Sequence, residues 1–166
     1  MLEIELSKNL SERLRAVYLD GTWVANTNYQ KILSDVNLED SLIKIGNLNT
    51  IAKLTFHINY YLNGLLEAFE SGSLEIRDKY SFDLPPIESE EDWKKLVNSL
   101  LSNATKFIEY VESLPNEKLL SPFIEPKYGT FLRNVEGVID HSYYHLGQIS
   151  LIKKRIEEYP ISNIQC

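Results

Sequence analysis

Three histidines are the residues of this sequence best suited to chemistry, and two of them stand four positions apart. His141 and His145 occur in GVIDHSYYHLGQI (137–149), and His57 occurs in IAKLTFHINYY. Helical residues four apart share one face, with Cβ atoms about 6 Å from each other. Two imidazoles so placed can converge on one cation, each nitrogen lying about 2.0–2.1 Å from it. This spacing is common by chance, so the pair alone is a weak signal.

The neighbours of the histidines strengthen the signal. The series Val138, His141, His145, Gln148, Ile152 advances by three or four residues, which predicts one inward helix face. His57 sits in a similar apolar stripe of another helix. Burying adjacent imidazoles is costly unless their nitrogens are satisfied, and a metal ion would satisfy them. Three nitrogen ligands without a fourth describe an open site of the catalytic kind. The alternative is three core histidines that bind no metal.

Three further residues are candidates for catalytic roles. Gln148 could orient a ligand imidazole or a bound water, or could instead bond to backbone or to a neighbouring helix. Tyr144 and Tyr60 flank the histidines and could donate a phenolic proton, although the chain has ten tyrosines and packing accounts for most of them. Trp23 and Asn26 belong to a loop that could cover the site. The competing interpretation is that Trp23 is a residue of the hydrophobic core.

Hydrophobic periodicity predicts an all-helical protein. Long helical patterns cover about 4–20, 50–70, 90–114 and 130–158, with a shorter turn near 28–35. About 19 residues separate the second and third long patterns, more than a simple hairpin needs. We therefore expect a four-helix bundle with up-down-down-up topology and a long crossover between its second and third helices.

Boundary residues support these helices. Asn49 or Thr50 is the predicted N-cap of the second long helix and Thr130 that of the last, and Ser89 with Asp92 three residues later resembles a capping box. Pro160 lies beyond the expected end of the last helix.

Composition bounds the function. The 166 residues predict one domain over 1–166, and the formal charge of -7 without a basic cluster argues against nucleic-acid binding. No apolar run approaches a membrane span, and the charged start shows no signal peptide. The single cysteine is Cys166, which excludes an internal disulfide. We expect a cytoplasmic protein that binds neither nucleic acid nor membrane.

The motifs resemble a known family. GVIDHSYYHLGQISLIKK resembles the last-helix signature H-x-x-Y-H-x-G-Q-I of the DinB-like superfamily. LDGTWVANTNYQKIL, IAKLTFHINYYL and ESEEDWKKLVNSL resemble earlier segments of that family, in the family order. The resemblance implies a four-helix bundle with one divalent metal, zinc or nickel, held by His57, His141 and His145. It also implies a homodimer. Asp140 stands where relatives often have glutamine.

The resemblance leads to three functional hypotheses. The first is a thiol-dependent transferase that joins a small thiol, such as bacillithiol, mycothiol or glutathione, to a small electrophile. The second is a metal-dependent hydrolase, distinguished by turnover that does not need thiol. The third is a non-catalytic metal-binding bundle, acting as a sensor, a store or an interaction module.

Overall fold

The computed structural model describes residues 5–158, so Pro160 and Cys166 lie outside the described residues. Within that range the chain is all helical and forms no extended strand, which confirms the predicted class. The α-helices are α1 (Leu6–Tyr18), α2 (Tyr29–Ser34), α3 (Leu38–Leu42), α4 (Ile51–Ser71), α5 (Glu90–Ser113), α6 (Asn116–Leu120) and α7 (Phe131–Glu158). Short 3-10 turns occur at Asp78–Tyr80 and Pro126–Tyr128.

The four long predicted helices correspond to α1, α4, α5 and α7, and the predicted short turn is α2. Sequence analysis missed α3 and α6. Each has five residues, too few to repeat a helical stripe of apolar side chains. Asn37 caps α3 through a bond from the Asp40 backbone N–H, 2.8 Å long.

The predicted N-caps of α4, α5 and α7 are confirmed, with Thr50 and not Asn49 capping α4. Thr50 Oγ1 accepts a bond from the Lys53 backbone N–H, and Thr130 Oγ1 accepts one from Arg133, each over 3.1 Å. Ser89 and Asp92 form a reciprocal capping box at α5. These bonds satisfy donors that the first turn of a helix leaves unpaired.

The long helices surround one apolar core. α1 packs against α5 and α7, and α4 also packs against α5 and α7. Trp93 of α5 is buried and its indole donates to the Val36 carbonyl over 2.7 Å, which secures the segment between α2 and α3. No helix in the described range is both long enough and apolar enough to cross a bilayer.

Two buried tyrosines fix α7 at the level of its histidines. The Tyr18 hydroxyl donates to Ser142 Oγ over 2.6 Å, since the Ser142 hydroxyl itself donates to the Val138 carbonyl. Tyr29 of α2 donates to the Ser142 carbonyl over 2.9 Å. Because Ser142 follows His141 directly, α1 and α2 hold this turn of α7 in place.

The connection between α4 and α5 lies along α4. The Tyr60 hydroxyl donates to the Arg77 carbonyl and accepts from the Arg77 N–H, both over 2.9 Å. Tyr61 donates to Asp78 over 2.7 Å. Gly64 lets Ile76 approach, because a Cβ at position 64 would lie 1.8 Å from Ile76 Cγ2. These contacts bring the next residues of the connection to the histidines.

Candidate metal centre

The three predicted histidines meet between α4 and α7. His57 comes from α4, and His141 and His145 come from successive turns of α7. The Nε2 atom of His141 lies 3.1 Å from Nε2 of His57 and 3.0 Å from Nε2 of His145. One ligand atom from each histidine lies within 4.8 Å of the others. Ligands 2.0–2.1 Å from a tetrahedral ion would be about 3.3 Å apart, so the arrangement suits one small cation.

Two of the histidines are oriented through their outer nitrogens. His57 Nδ1 lies 3.1 Å from the Ser81 carbonyl oxygen, and His145 Nδ1 lies 2.7 Å from Gln148 Oε1. Both partners are acceptors, so each Nδ1 must carry the hydrogen and donate it. A neutral imidazole then has a lone pair at Nε2. This arrangement, with an oxygen acceptor behind each ring, is typical of metal-binding histidines.

Counting hydrogens shows why the cluster fits a cation. The lone pairs of His57 and His145 both face His141 Nε2. That atom carries at most one hydrogen, so it cannot donate a well-directed bond to both neighbours. At least one inward lone pair therefore faces nitrogen without a hydrogen between them. A divalent ion at the centre would accept all three lone pairs.

The surroundings also favour the neutral rings that ligation requires. Burial, together with the neighbouring His145 and His57, lowers the pKa of His141 to about 4. Burial lowers the pKa of His57, with His145 adding to the effect. Burial likewise lowers the pKa of His145, although its bond to Gln148 acts in the opposite direction. At neutral pH the cluster is uncharged.

Aromatic rings enclose the cluster. Phe82 stacks on His57 with ring centroids 4.0 Å apart. Tyr61 forms T-shaped ring contacts with His57 and His141, with centroid distances of 5.1 and 5.3 Å. Tyr144 lies 4.8 Å from the His145 ring. His57 and His145 are each 6% exposed, whereas His141 is only half-buried and faces a cleft.

The other predicted residues fall in different places. Gln148 joins the cluster through His145, and Tyr144 adjoins it but is 64% exposed. The Tyr60 hydroxyl is hydrogen-bonded to the Arg77 backbone. Trp23 is 94% exposed, so the interpretation of Trp23 as a core residue is wrong. Asn26 occupies the same loop with a positive φ of 56°.

Sequence analysis missed three residues that contact the histidines. Ser81 and Phe82 come from the connection between α4 and α5, where no periodic pattern marked them. Tyr61 stands four residues after His57, the same spacing that drew attention to His141 and His145. That spacing could have identified Tyr61 as a site residue.

A cleft of about 400 Å³ between α4 and α7 adjoins the cluster. His141 and Tyr61 line it beside the histidine cluster, and Gly137 lines it one turn earlier in α7. The cleft gives a small molecule a way to reach the cluster without passing through the core.

Comparison with protein families identifies one match. The family described as the DinB superfamily matches residues 20–149, well over half of the chain and inclusive of all three histidines. No curated protein and no solved structure matches the chain.

Proposed function

The chain belongs to the DinB superfamily, and from this premise we propose that it is a metalloenzyme that transfers a small thiol to a small electrophile. His57, His141 and His145 would hold one divalent ion, zinc or nickel. The observation that carries the proposal is the convergence of the three Nε2 atoms, with two of the rings oriented by Ser81 and Gln148.

In this proposal different residues bind the ion, admit the substrate and exclude water. The histidines approach the ion position from α4 and α7, and the cleft beside His141 admits the substrate. Phe82 covers His57 and limits access of water from that side. A bound divalent ion would lower the pKa of a thiol or of water, so that either becomes a nucleophile at neutral pH.

Among the predicted proton donors we favour Tyr144. Its ring lies against His145 and its side chain is exposed, although it does not line the cleft beside His141. Tyr60 is less suitable because its hydroxyl is already bonded to the Arg77 carbonyl. Gln148 is placed to orient His145, so its role is positioning.

Metal analysis of untagged protein is the first test. We expect about one equivalent of zinc or nickel, and a large loss in the double variant His141→Ala, His145→Ala. Asp140→Ala is a matched control, since Asp140 adjoins His141 in sequence but is exposed. A parent protein that binds neither metal when supplied would contradict the proposal.

Thiol dependence then separates the two enzyme classes. The transferase must form a bond between the thiol sulfur and the electrophile, so turnover should rise with added bacillithiol, mycothiol or glutathione. Metal-dependent turnover that is equal without thiol would favour the hydrolase. Metal binding without turnover of any electrophile tested would favour the non-catalytic bundle.

We further propose that the long helices form the up-down-down-up bundle. Asn59 of α4 bonds to Ser99 of α5, and Tyr110 of α5 bonds to the Phe69 carbonyl of α4. Both residue numbers increase together, as they do for parallel neighbours. Cysteines introduced as Asn59→Cys and Ser99→Cys should crosslink in a Cys166→Ser background.

The family resemblance also leads us to propose a homodimer, which light scattering would test.

A further inference from the structure

The cleft beside His141 has an apolar interior and a positively charged rim. Its apolar lining includes Ile58, Leu62, Leu65 and Val138. No lining residue is acidic, although the chain has 24 acidic and 17 basic residues. Lys127 and Arg133 are the two cations. An uncharged interior with cations at one end suits an amphipathic anion.

The two cations are not equivalent. Lys127 Nζ lies 2.6 Å from Glu125 Oε2, so its charge is largely compensated. Within residues 5–158 no carboxylate lies at salt-bridge distance from Arg133. An arginine without a carboxylate partner can offer its planar set of donors to an acid group of a ligand. Arg133 is therefore the better candidate for anion recognition.

Backbone geometry makes room for Arg133. Gly129 has a φ of 84°, and a Cβ at that position would lie 2.8 Å from Arg133 Cδ. The absence of a side chain at Gly129 lets the Arg133 stem lie close to the preceding turn. Asn134 is already engaged, since its amide donates to the Tyr128 and Thr130 carbonyls.

The spacing along α7 sets the length of a ligand. Arg133 and His141 are eight residues apart, which is about 12 Å along a helix. Gly137 lies midway, and nothing would be within 4 Å of a Cβ there. The cleft therefore stays open between the cation at one end and the histidine at the other.

We propose that this cleft binds a small amphipathic anion. Its acid group pairs with Arg133, its apolar body covers Leu62 and Leu65, and its opposite end reaches the ion position beside His141. This inference rests on the proposed function, because it specifies the class of substrate that the metal centre receives. A substrate so held has its reactive end at the metal and its charge at the cleft mouth.

Binding of a matched pair of probes tests this inference. Phenylbutyrate and phenylbutyramide share one apolar body, but only the first is charged. We would measure both by calorimetry with zinc-loaded and metal-free protein. The acid should bind about fivefold tighter, the scale of a partly exposed ion pair. Arg133→Gln should remove this preference, whereas Lys127→Gln should retain most of it.

Two glycines test the location. Gly137→Leu should weaken binding of both probes at least tenfold by filling the cleft. Gly147→Leu is the matched control, because Gly147 also has open space in α7 but does not line the cleft. Circular dichroism would establish that both variants are folded. Equal losses in the two variants would overturn the assignment to this cleft.

Three other outcomes would also overturn the inference. They are no binding of either probe, equal binding of acid and amide, or an acid preference that survives Arg133→Gln and disappears without zinc. The last would place the acid on the metal. The proposed function fails separately, if the histidines bind no metal while Arg133 still selects the acid.

Discussion

At the residue scale, Gln148 orients His145 through one hydrogen bond, and a substitution can test this role. Its Oε1 atom accepts the Nδ1 hydrogen of His145 over 2.7 Å, which directs the Nε2 lone pair inward. Loss of such a partner typically costs 10- to 100-fold in metal affinity. We expect Gln148→Ala to weaken zinc binding by about that factor, as measured by competition with a chelator.

Gln30 supplies the control for this prediction. It is an exposed glutamine of α2, so Gln30→Ala should leave zinc affinity unchanged. Gln148→Glu keeps an oxygen acceptor and should retain more affinity than Gln148→Ala. Unchanged affinity in Gln148→Ala would show that the bond does not orient His145 for ligation.

The lowered pKa values give a pH dependence with a definite sign. An unfolded histidine takes up a proton near pH 6.5, whereas His141 in the folded chain does so only near pH 4. Between these values the unfolded state binds more protons, so metal-free protein should lose stability as the pH falls from 6.5 to 4. Urea unfolding across this range measures the effect.

Carboxylates also titrate in this range, so the comparison must be made against a variant. His141→Gln removes the titrating ring but keeps a polar side chain. The free energy of unfolding should fall more in the parent than in this variant between pH 6.5 and 4. Above pH 6.5 it should change with pH in the same way in both proteins. If the free energy of unfolding changed equally in both proteins over the whole pH range, this would contradict the lowered pKa of His141.

At the element scale, α4 depends on a glycine that faces the following connection. A Cβ at Gly64 would overlap Ile76 Cγ2, since the two atoms would be 1.8 Å apart. Overpacking costs about 1–3 kcal/mol, more than the 0.5–1 kcal/mol that alanine gains over glycine in a helix. We expect Gly64→Ala to lower the free energy of unfolding by about 1 kcal/mol, measured with urea.

Two further variants isolate the cause. Gly147→Ala meets no atom within 4 Å, so it should raise stability by about 0.5–1 kcal/mol. Ile76→Ala added to Gly64→Ala should reduce the penalty of the glycine substitution. If Gly64→Ala is as stabilising as Gly147→Ala, the close approach of Ile76 does not limit α4.

The elements also show what sequence could and could not provide. α4, α5 and α7 have 21, 24 and 28 residues, long enough for an apolar stripe to repeat several times. The five-residue helices α3 and α6 give no such repeat, and local capping and packing determine them. The histidines were predictable because their spacing and their stripe agreed. Arg133 and Gly137 were not, because a cleft depends on how α4 and α7 pack.

At the scale of the whole molecule, the centre joins helices that are distant in sequence. His57 and His141 are separated by 84 positions, so an ion shared by them would tie α4 to α7. A ligand that binds only the folded state stabilises it by about 2.7 kcal/mol at 100 times its dissociation constant. Zinc should raise the unfolding temperature, and a chelator should reverse the rise. The same additions should not affect His141→Ala, His145→Ala.

The carbonyl of Ser81 has an evolutionary implication. It is a main-chain atom, so any small residue that keeps the same path could present the same oxygen to His57. Selection for this contact would then act on the course of the α4–α5 connection, so a deletion nearby could disable the centre even if residue 81 were kept. The Ser81 side chain is constrained separately, because it is buried and bonds to Tyr61.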